Sequence, residues 1–277
     1  MRNATISVHG IAKSYGKTAV LKGVDFEIAK GSVFCLLGSN GAGKTTIVRI
    51  LATLIKADGG EAILCGLNVH KQAAQVRRLI SLTGQYTAVD ELLTARENLI
   101  MTAKLFHVKD SKNVAAELLQ KINLADVADK KVSQFSGGMR RRLDIAMSLT
   151  GDPAVLFLDE PTTGLDPQSR IEMWSMIREL SRSGVTIFLT TQYLEEAEQL
   201  ADKIAILHEG KIIKEGTPEQ LKTVENTLLL TVKTSKEKAD VSKMMNGLDD
   251  VELLSVERQS ERLEDVFLRL VGSGVEK

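Results

Sequence analysis

The sequence predicts an α/β protein with a parallel core sheet, an antiparallel sheet near its amino end and a small β/α unit at its carboxy end. Three observations carry this. Short, continuously apolar, β-branched runs such as AVLFLD (154–159) and GVTIFLT (184–190) read as strands covered on both faces. Helical patterns separate most of these runs, and parallel neighbours need such crossovers. The first thirty residues behave differently: TISVHG, a Tyr-Gly turn and VLKGVDFEIAKGS alternate apolar with polar, as a sheet with one wet face does.

Along the chain, VFCLLG (33–38) is the first continuously apolar strand, and EAILCG near 61 a further edge strand. LISLTG (79–84), AVLFLD, GVTIFLT and KIAILHEG (203–210) continue the parallel set, with KIIKEG near 211 at an edge. After residue 222 come NTLLLTVKTS, a polar helical stretch, DVELLSVER and the amphipathic ERLEDVFLRLVG, together the small β/α unit of 223–277.

Composition narrows the function. The 277 residues hold 36 Lys and Arg against 36 Asp and Glu, so no bulk positive field draws the chain to nucleic acid. Aromatic content of 4% leaves few faces on which bases could stack. Cys35 and Cys65 lie in apolar strand-like runs, where a free thiol acts as a small hydrophobe, the pattern of a reducing compartment. The start MRNATISVHG lacks the apolar core of a signal peptide, and no run approaches the roughly 18 apolar residues of a membrane span. A soluble, cytoplasmic chain is expected.

GSNGAGKT (38–45) has the form G-x-x-x-x-G-K-[ST], between an apolar strand and the helical run TIVRILATLI. Gly38, Gly41 and Gly43 let successive N–H groups turn into one concavity, and the helix amino end adds positive partial charge. Phosphate oxygens are the natural occupant. The candidate nucleotide loop is thus Gly38, Ser39, Asn40, Gly41, Ala42, Gly43, Lys44, Thr45 and Thr46. Lys44 suits the β and γ phosphates as a point charge, and the Thr45 hydroxyl suits Mg²⁺. AVLFLDEP ends a strand in two carboxylates, Asp159 for the metal shell and Glu160 as general base toward water.

FSGGMRRRLDIAMSLT (135–150) offers a second anion trap. Ser136 is a plausible helix N-cap, and Gly137 and Gly138 present N–H groups that need acceptors. Met139, Leu143, Ala146 and Met147 mark the apolar face of the helix. The run Arg140 to Arg142 reads as its solvated or interface-facing charge.

Taken together, these motifs resemble those of the ATP-binding cassette (ABC) ATPases, over roughly residues 4–222 and in the family's order. The resemblance implies a P-loop NTPase of the ABC type, with a mixed core sheet, an antiparallel β subdomain and a helical subdomain at about 86–150. It divides the chain into a cassette, 1–222, and an accessory unit, 223–277. It also implies that ATP and Mg²⁺ are bound. In this family the serine-glycine-glycine signature of one subunit closes over the γ-phosphate held by the P-loop of another, so a homodimer is implied. The signature here is FSGGM and not the common LSGGQ, but Ser136, Gly137 and Gly138 are kept. Tyr15 in KSYG matches the aromatic that stacks on adenine, and Gln85 in TGQY the glutamine that reaches Mg²⁺ or water. Asp166 in TGLDP matches the loop that passes the opposite active site. Where most cassettes have histidine, this chain has Gln192, which can donate to a γ-phosphate but carries no charge and relays no proton.

LTTQYLEEAE, SGGMRRRLDIA and LEDVFLRLVG look like the daunorubicin-resistance branch of drug-exporting ABC ATPases. That likeness implies an ATPase docking on a separate integral membrane permease, peripheral on the inner face of the cell membrane. Residues 86–106 are expected to form the docking surface and 223–277 to support assembly. A soluble ABC ATPase and an ATP-sensing regulator without a transport role are the alternatives; no nucleic-acid partner is expected.

Overall fold

The computed structural model describes residues 4–84, 87–222, 228–233, 252–258 and 267. The chain divides into two units, Met1–Pro218 and Glu219–Lys277. In the first, β1 (Ala4–Tyr15) and β2 (Thr18–Ala29) form a hairpin closed at Gly16, whose φ of 59° suits a residue without Cβ. There follow β3 (Val33–Leu37), α1 (Lys44–Leu51), β4 (Gly59–Leu64), β5 (Leu67–Asn68), α2 (Ala73–Val76) and β6 (Ile80–Thr83). Three helices come next: α3 (Ala95–Leu105), α4 (Ser111–Lys121) and α5 (Gly137–Leu149). Then β7 (Val155–Asp159), α6 (Pro167–Arg182), β8 (Thr186–Thr191), α7 (Leu194–Leu200), β9 (Lys203–His208) and β10 (Lys211–Gly216) follow, and α8 (Pro218–Lys222) begins at the last residue of this unit.

The strands form the two expected sheets. β2-β1-β4-β5 is antiparallel throughout, and from Val24 to Ala29 β2 buries alternate residues. The second sheet runs β10-β9-β3-β8-β7-β6, with every pairing parallel except that of the edge strand β10. Every residue of β3, β7 and β8 is buried, as their largely apolar, β-branched runs lead one to expect, with Asp159, Thr186, Thr190 and Thr191 as buried polar exceptions. Phe26 of β2 stacks on Phe34 of β3 at 5.0 Å between ring centres, and Phe188 lies 5.5 Å from Phe34 and 5.6 Å from Phe157. These rings carry one core from the antiparallel sheet into the centre of the parallel one. Against expectation Cys65 is exposed, in the turn after β4 at a φ of 49°, whereas Cys35 is fully buried in β3.

Among the described residues of the second unit, β11 (Leu228–Lys233) and β12 (Glu252–Arg258) pair antiparallel, Leu230 opposite Val256. The polar stretch expected to be helical between them lies outside the described residues, as does all of the final amphipathic run but Phe267.

Candidate functional site

Strand register assembles the site. β3 pairs with β8, and β8 with β7, all parallel; Leu37 stands opposite Thr191, and Thr190 opposite Asp159. Their carboxyl ends therefore share one sheet edge, from which Gly38, Glu160 and Gln192 emerge. Open α/β sheets place ligands at such an edge.

The glycine loop fits there because of what surrounds it. A Cβ on Gly38 would stand 2.5 Å from the Leu207 carbonyl oxygen, and one on Gly43, at φ 111°, 2.7 Å from a Leu21 methyl. Gly43 caps α1, and Lys44 begins it. Lys44 is 5% exposed; its Nζ donates to Gly38 O at 2.8 Å and Ser39 O at 3.1 Å and lies 3.4 Å from Glu160 Oε1.

The Thr45 hydroxyl donates to Asp159 Oδ2 at 3.0 Å, and Thr190 Oγ1 donates to Asp159 Oδ1. Asp159 is 4% exposed, so the hydroxyl-carboxylate pair forms a buried cluster of hard oxygen donors. Mg²⁺ favours such a set, usually completing it with water and phosphate oxygens. Glu160 adopts φ 51°, unusual for a side-chain-bearing residue. Its N–H, donating to Thr190 O at 3.1 Å and Thr190 Oγ1 at 3.2 Å, holds that conformation. Half-buried Gln192 follows β8.

The second anion trap takes shape at the start of α5. Ser136 caps it, accepting from Met139 N at 3.2 Å, and both Ser136 and Gly137 are exposed. Gly138 is buried: a Cβ there would lie 2.5 Å from Ser169 Oγ, so this glycine lets α5 approach the start of α6. Asp166 caps α6, accepting from Ser169 N at 3.0 Å and Oγ at 2.6 Å, and these bonds hold its carboxyl below the ordinary carboxylate range. Tyr15 sits half exposed at the hairpin tip, 5.7 Å from Lys13 Nζ. Gln85 lies outside the described residues.

The arginine run corrects the expectation of a solvated face. Arg141 is 6% exposed, and its guanidinium donates to Gly84 O at 2.6 Å, Pro161 O at 3.1 Å and Asp159 O at 3.3 Å. It lies 3.4 Å from Asp144, which also accepts from Ala88 N at 2.9 Å; burial raises the Asp144 carboxyl. Arg140 pairs with Glu91 at 2.6 Å and Arg142 with Glu172 at 3.3 Å. α5 packs on more than its apolar stripe, and the spacing of Gly138, Arg141 and Ile145, all buried, is the signal that reveals the second face.

Two further residues gave no sequence signal of their own. Thr190 binds both Asp159 and the Glu160 backbone but reads as an ordinary β-branched strand residue. Glu196, on α7, is fully buried, although LEEAEQL reads as a charged surface turn.

A family model described as ABC transporter matches residues 21–163. The chain is 50% identical over 226 residues to the daunorubicin resistance ATP-binding protein DrrA2 of Streptomyces coeruleorubidus, covering 81% of this chain and 70% of that protein. It is 36% identical to the Nod factor export ATP-binding protein I of Rhizobium sp. (strain N33), with both chains covered completely. Among solved structures, an ATP binding subunit of an ABC transporter matches with a TM-score of 0.69 at 26% identity, covering 79% of this chain and 92% of that one. A dimeric ATP-binding cassette in a post-hydrolysis state, bound to ADP and Pi, matches with a TM-score of 0.67 at 25% identity, covering 76% and 98%.

Proposed function

We propose, from the premise that this chain belongs to the ABC transporter family as an ATP-binding and ATP-hydrolysing subunit, that two copies close around ATP to drive a separate membrane permease. One observation carries the reading: the phosphate cradle, the Thr45–Asp159 oxygen pair and Glu160 converge on one sheet edge, while Ser136 and Gly137 stand exposed at another helix amino end. Each copy then offers a nucleotide-holding face and a signature face, and head-to-tail pairing of two copies completes two equivalent sites.

In this reading Gly38 to Thr46 hold the triphosphate through backbone N–H groups, with Lys44 on its β and γ phosphates. Thr45 and Asp159, together with the Gln85 that the family resemblance implies, would hold Mg²⁺, which would supply charge neutralisation along the phosphates. Lys44 stands between its two carbonyl partners and Glu160, so phosphate oxygens compete with Glu160 for the ammonium. The carboxylate thereby becomes available to orient a water and take its proton. Gln192 donates an amide N–H to the γ-phosphate, Tyr15 stacks on adenine, and Ser136, Gly137 and Gly138 close from the partner copy with Asp166 beside them. Loss of the γ-phosphate removes the anion that both faces grip, and the copies separate.

No helix among the described residues is long and apolar enough to cross a membrane. This reading takes the permease to be another polypeptide, met through residues 86–106, and places the chain in the cytoplasm, peripheral to the membrane. The second unit, 223–277, serves assembly. Cargo follows the relatives: those at 45–50% identity are named for daunorubicin or doxorubicin resistance, those at 36–42% for Nod factor export. The reading therefore takes an amphipathic drug as cargo.

Phosphate release at steady state, with Glu160→Gln as control, tests the chemistry. A wild type no faster than that variant would leave a nucleotide-sensing regulator instead. Daunorubicin accumulation in cells expressing the chain with its permease tests the cargo. Equal accumulation with wild type and Glu160→Gln would refute it.

A further inference from the structure

Glu196 belongs to none of the roles above, yet it is 0% exposed on the short helix that follows Gln192. A carboxylic acid is rarely buried so fully without a task, because removing it from water costs several kcal/mol unless its partners compensate. Its partners come from the three segments that carry the site. Trp174 of α6, the helix capped by Asp166, donates its indole N–H to Glu196 Oε1 at 3.4 Å. The Thr191 hydroxyl, at the end of β8 beside Gln192, and the Thr162 hydroxyl, just past Glu160, also face the carboxyl. Thr191 Oγ1 in turn accepts from Tyr193 N at 2.9 Å, which closes the turn that presents Gln192. Neither Glu196 Oε2 nor Thr162 Oγ1 makes a hydrogen bond of full geometry. The cluster is thus neither idle nor fully locked.

We propose that Glu196 is a positioning residue that ties the Gln192 turn and the Glu160–Thr162 turn to α6, so that the γ-phosphate end of the site and the Asp166 loop move as one body. The inference rests on the function proposed above. A helix running from the Asp166 cap to Trp174 is stiff over its two turns, so a shift of the Thr191–Gln192 turn is passed through Glu196 to the amino end of α6. Arg170 of α6 reinforces the link from outside, 5.5 Å from the Tyr193 ring and 3.8 Å from Glu195.

The charged and titratable groups that face Glu196 are Arg170 on α6, Arg141 on α5 and the Cys35 thiol on β3. Burial dominates these and raises the Glu196 carboxyl above the ordinary range, as it does the Cys35 thiol, much further. A carboxyl raised on folding stabilises the fold fully below its unfolded pKa and loses that contribution as pH rises through its folded value. Glu196 therefore costs the fold least at acid pH and most at alkaline pH, and Glu196→Gln removes that dependence.

Trp174 is the single tryptophan of the chain, so its emission reports this contact directly and independently of hydrolysis. In the full-length protein, wild-type emission is expected to shift as pH rises past the ordinary carboxylate range, and Glu196→Gln emission to stay flat. Glu196→Ala is expected to lower kcat about tenfold with KM nearly unchanged, and Glu196→Gln to recover most of that loss while flattening the pH profile of kcat. Trp174→Phe, which keeps a ring but removes the donor, is expected to lower kcat in the same direction. The proposal is overturned if Glu196→Ala melts earlier yet keeps wild-type kcat, since Glu196 would then be structural only. It is equally overturned if the emission of Glu196→Gln follows pH as the wild type does. A wild type without phosphate release would sink the hydrolytic reading and leave the emission titration standing as the test of the contact.

Discussion

Replacing Arg141 tests how the strand ends that carry the site are held. Its guanidinium spans from Gly84, at the exit of β6, to Asp159 and Pro161, at the exit of β7, and meets Asp144 on its own helix. Arg141→Ala would leave two buried carbonyl oxygens and one partly buried one short of a donor, and the Asp144 carboxylate without its cation. Removing one partner of a buried ion pair costs about 3–5 kcal/mol. For a domain of this size each kcal/mol moves the melting temperature by about 2–4 °C, so a fall of about 6–20 °C is expected. Arg141→Lys keeps the charge but gathers its donors at one atom, which cannot serve carbonyls from both strand exits. With two acceptors left at about 1–2 kcal/mol each, the expected loss is about 2–4 kcal/mol.

Asp144 gives the deficit a pH signature. Burial already raises its carboxyl, and removing Arg141 takes away the positive charge that opposes the rise. The variant's deficit should therefore shrink as pH falls and Asp144 takes up a proton, and grow as pH rises through that titration. Calorimetry of Arg141→Ala, Arg141→Lys and the wild type across pH measures both effects. An Arg141→Lys protein that melts with the wild type would refute the reasoning, because one ammonium would then suffice where a fork is claimed.

Two further substitutions probe the same edge of the sheet, and a third the signature helix. Glu160→Gln should cut phosphate release by about 10²-fold or more while Mg·ATP converts the chain to dimers, seen by size-exclusion chromatography; a monomer at saturating Mg·ATP would count against the closing reading. Thr190→Val removes the hydroxyl shared by Asp159 Oδ1 and the Glu160 N–H, and should cost about 1–3 kcal/mol in denaturant unfolding. Gly138→Ala places a methyl 2.5 Å from Ser169 Oγ and should cost about 1–3 kcal/mol, with Ser169→Gly restoring part of the loss.

The sequence made those features legible whose chemistry is local in the chain. Largely apolar runs marked β3, β7 and β8 because a strand covered on both faces has few polar positions to spare. The glycine loop was readable because its turns, its lysine and its helix start are contiguous. Arg141 and Glu196 were not readable as buried groups, since each is compensated by residues distant in sequence: Arg141 by carbonyls at 84, 159 and 161, Glu196 by Trp174. Gly138 was read as a donor of an exposed N–H, and the structure adds the approach of Ser169, a contact that no local pattern encodes.

What remains to be explained is why hydrolysis should run with Gln192 where most cassettes carry an imidazole. An amide cannot take a proton, so in the function proposed above proton acceptance falls to Glu160, and its aim must be secured by other means. The backbone supplies them: φ 51° at Glu160, held by two acceptors on Thr190, turns the side chain back toward Lys44, 3.4 Å away. A side-chain-bearing residue in this region stores strain of about 1–3 kcal/mol, which the fold tolerates where function needs it. Glu160→Ala keeps the strain and loses the carboxylate; Glu160→Gly loses both. Both variants should be inactive, and the glycine variant should be the more stable by about 1 kcal/mol, since the strain it relieves exceeds the entropy it adds to the unfolded chain. An alanine variant more stable than the glycine variant by about 0.5–1 kcal/mol, the entropy cost of glycine alone, would mean that the turn stores nothing. The aim of Glu160 would then have to come from its contact with Lys44, and Lys44→Met would release it.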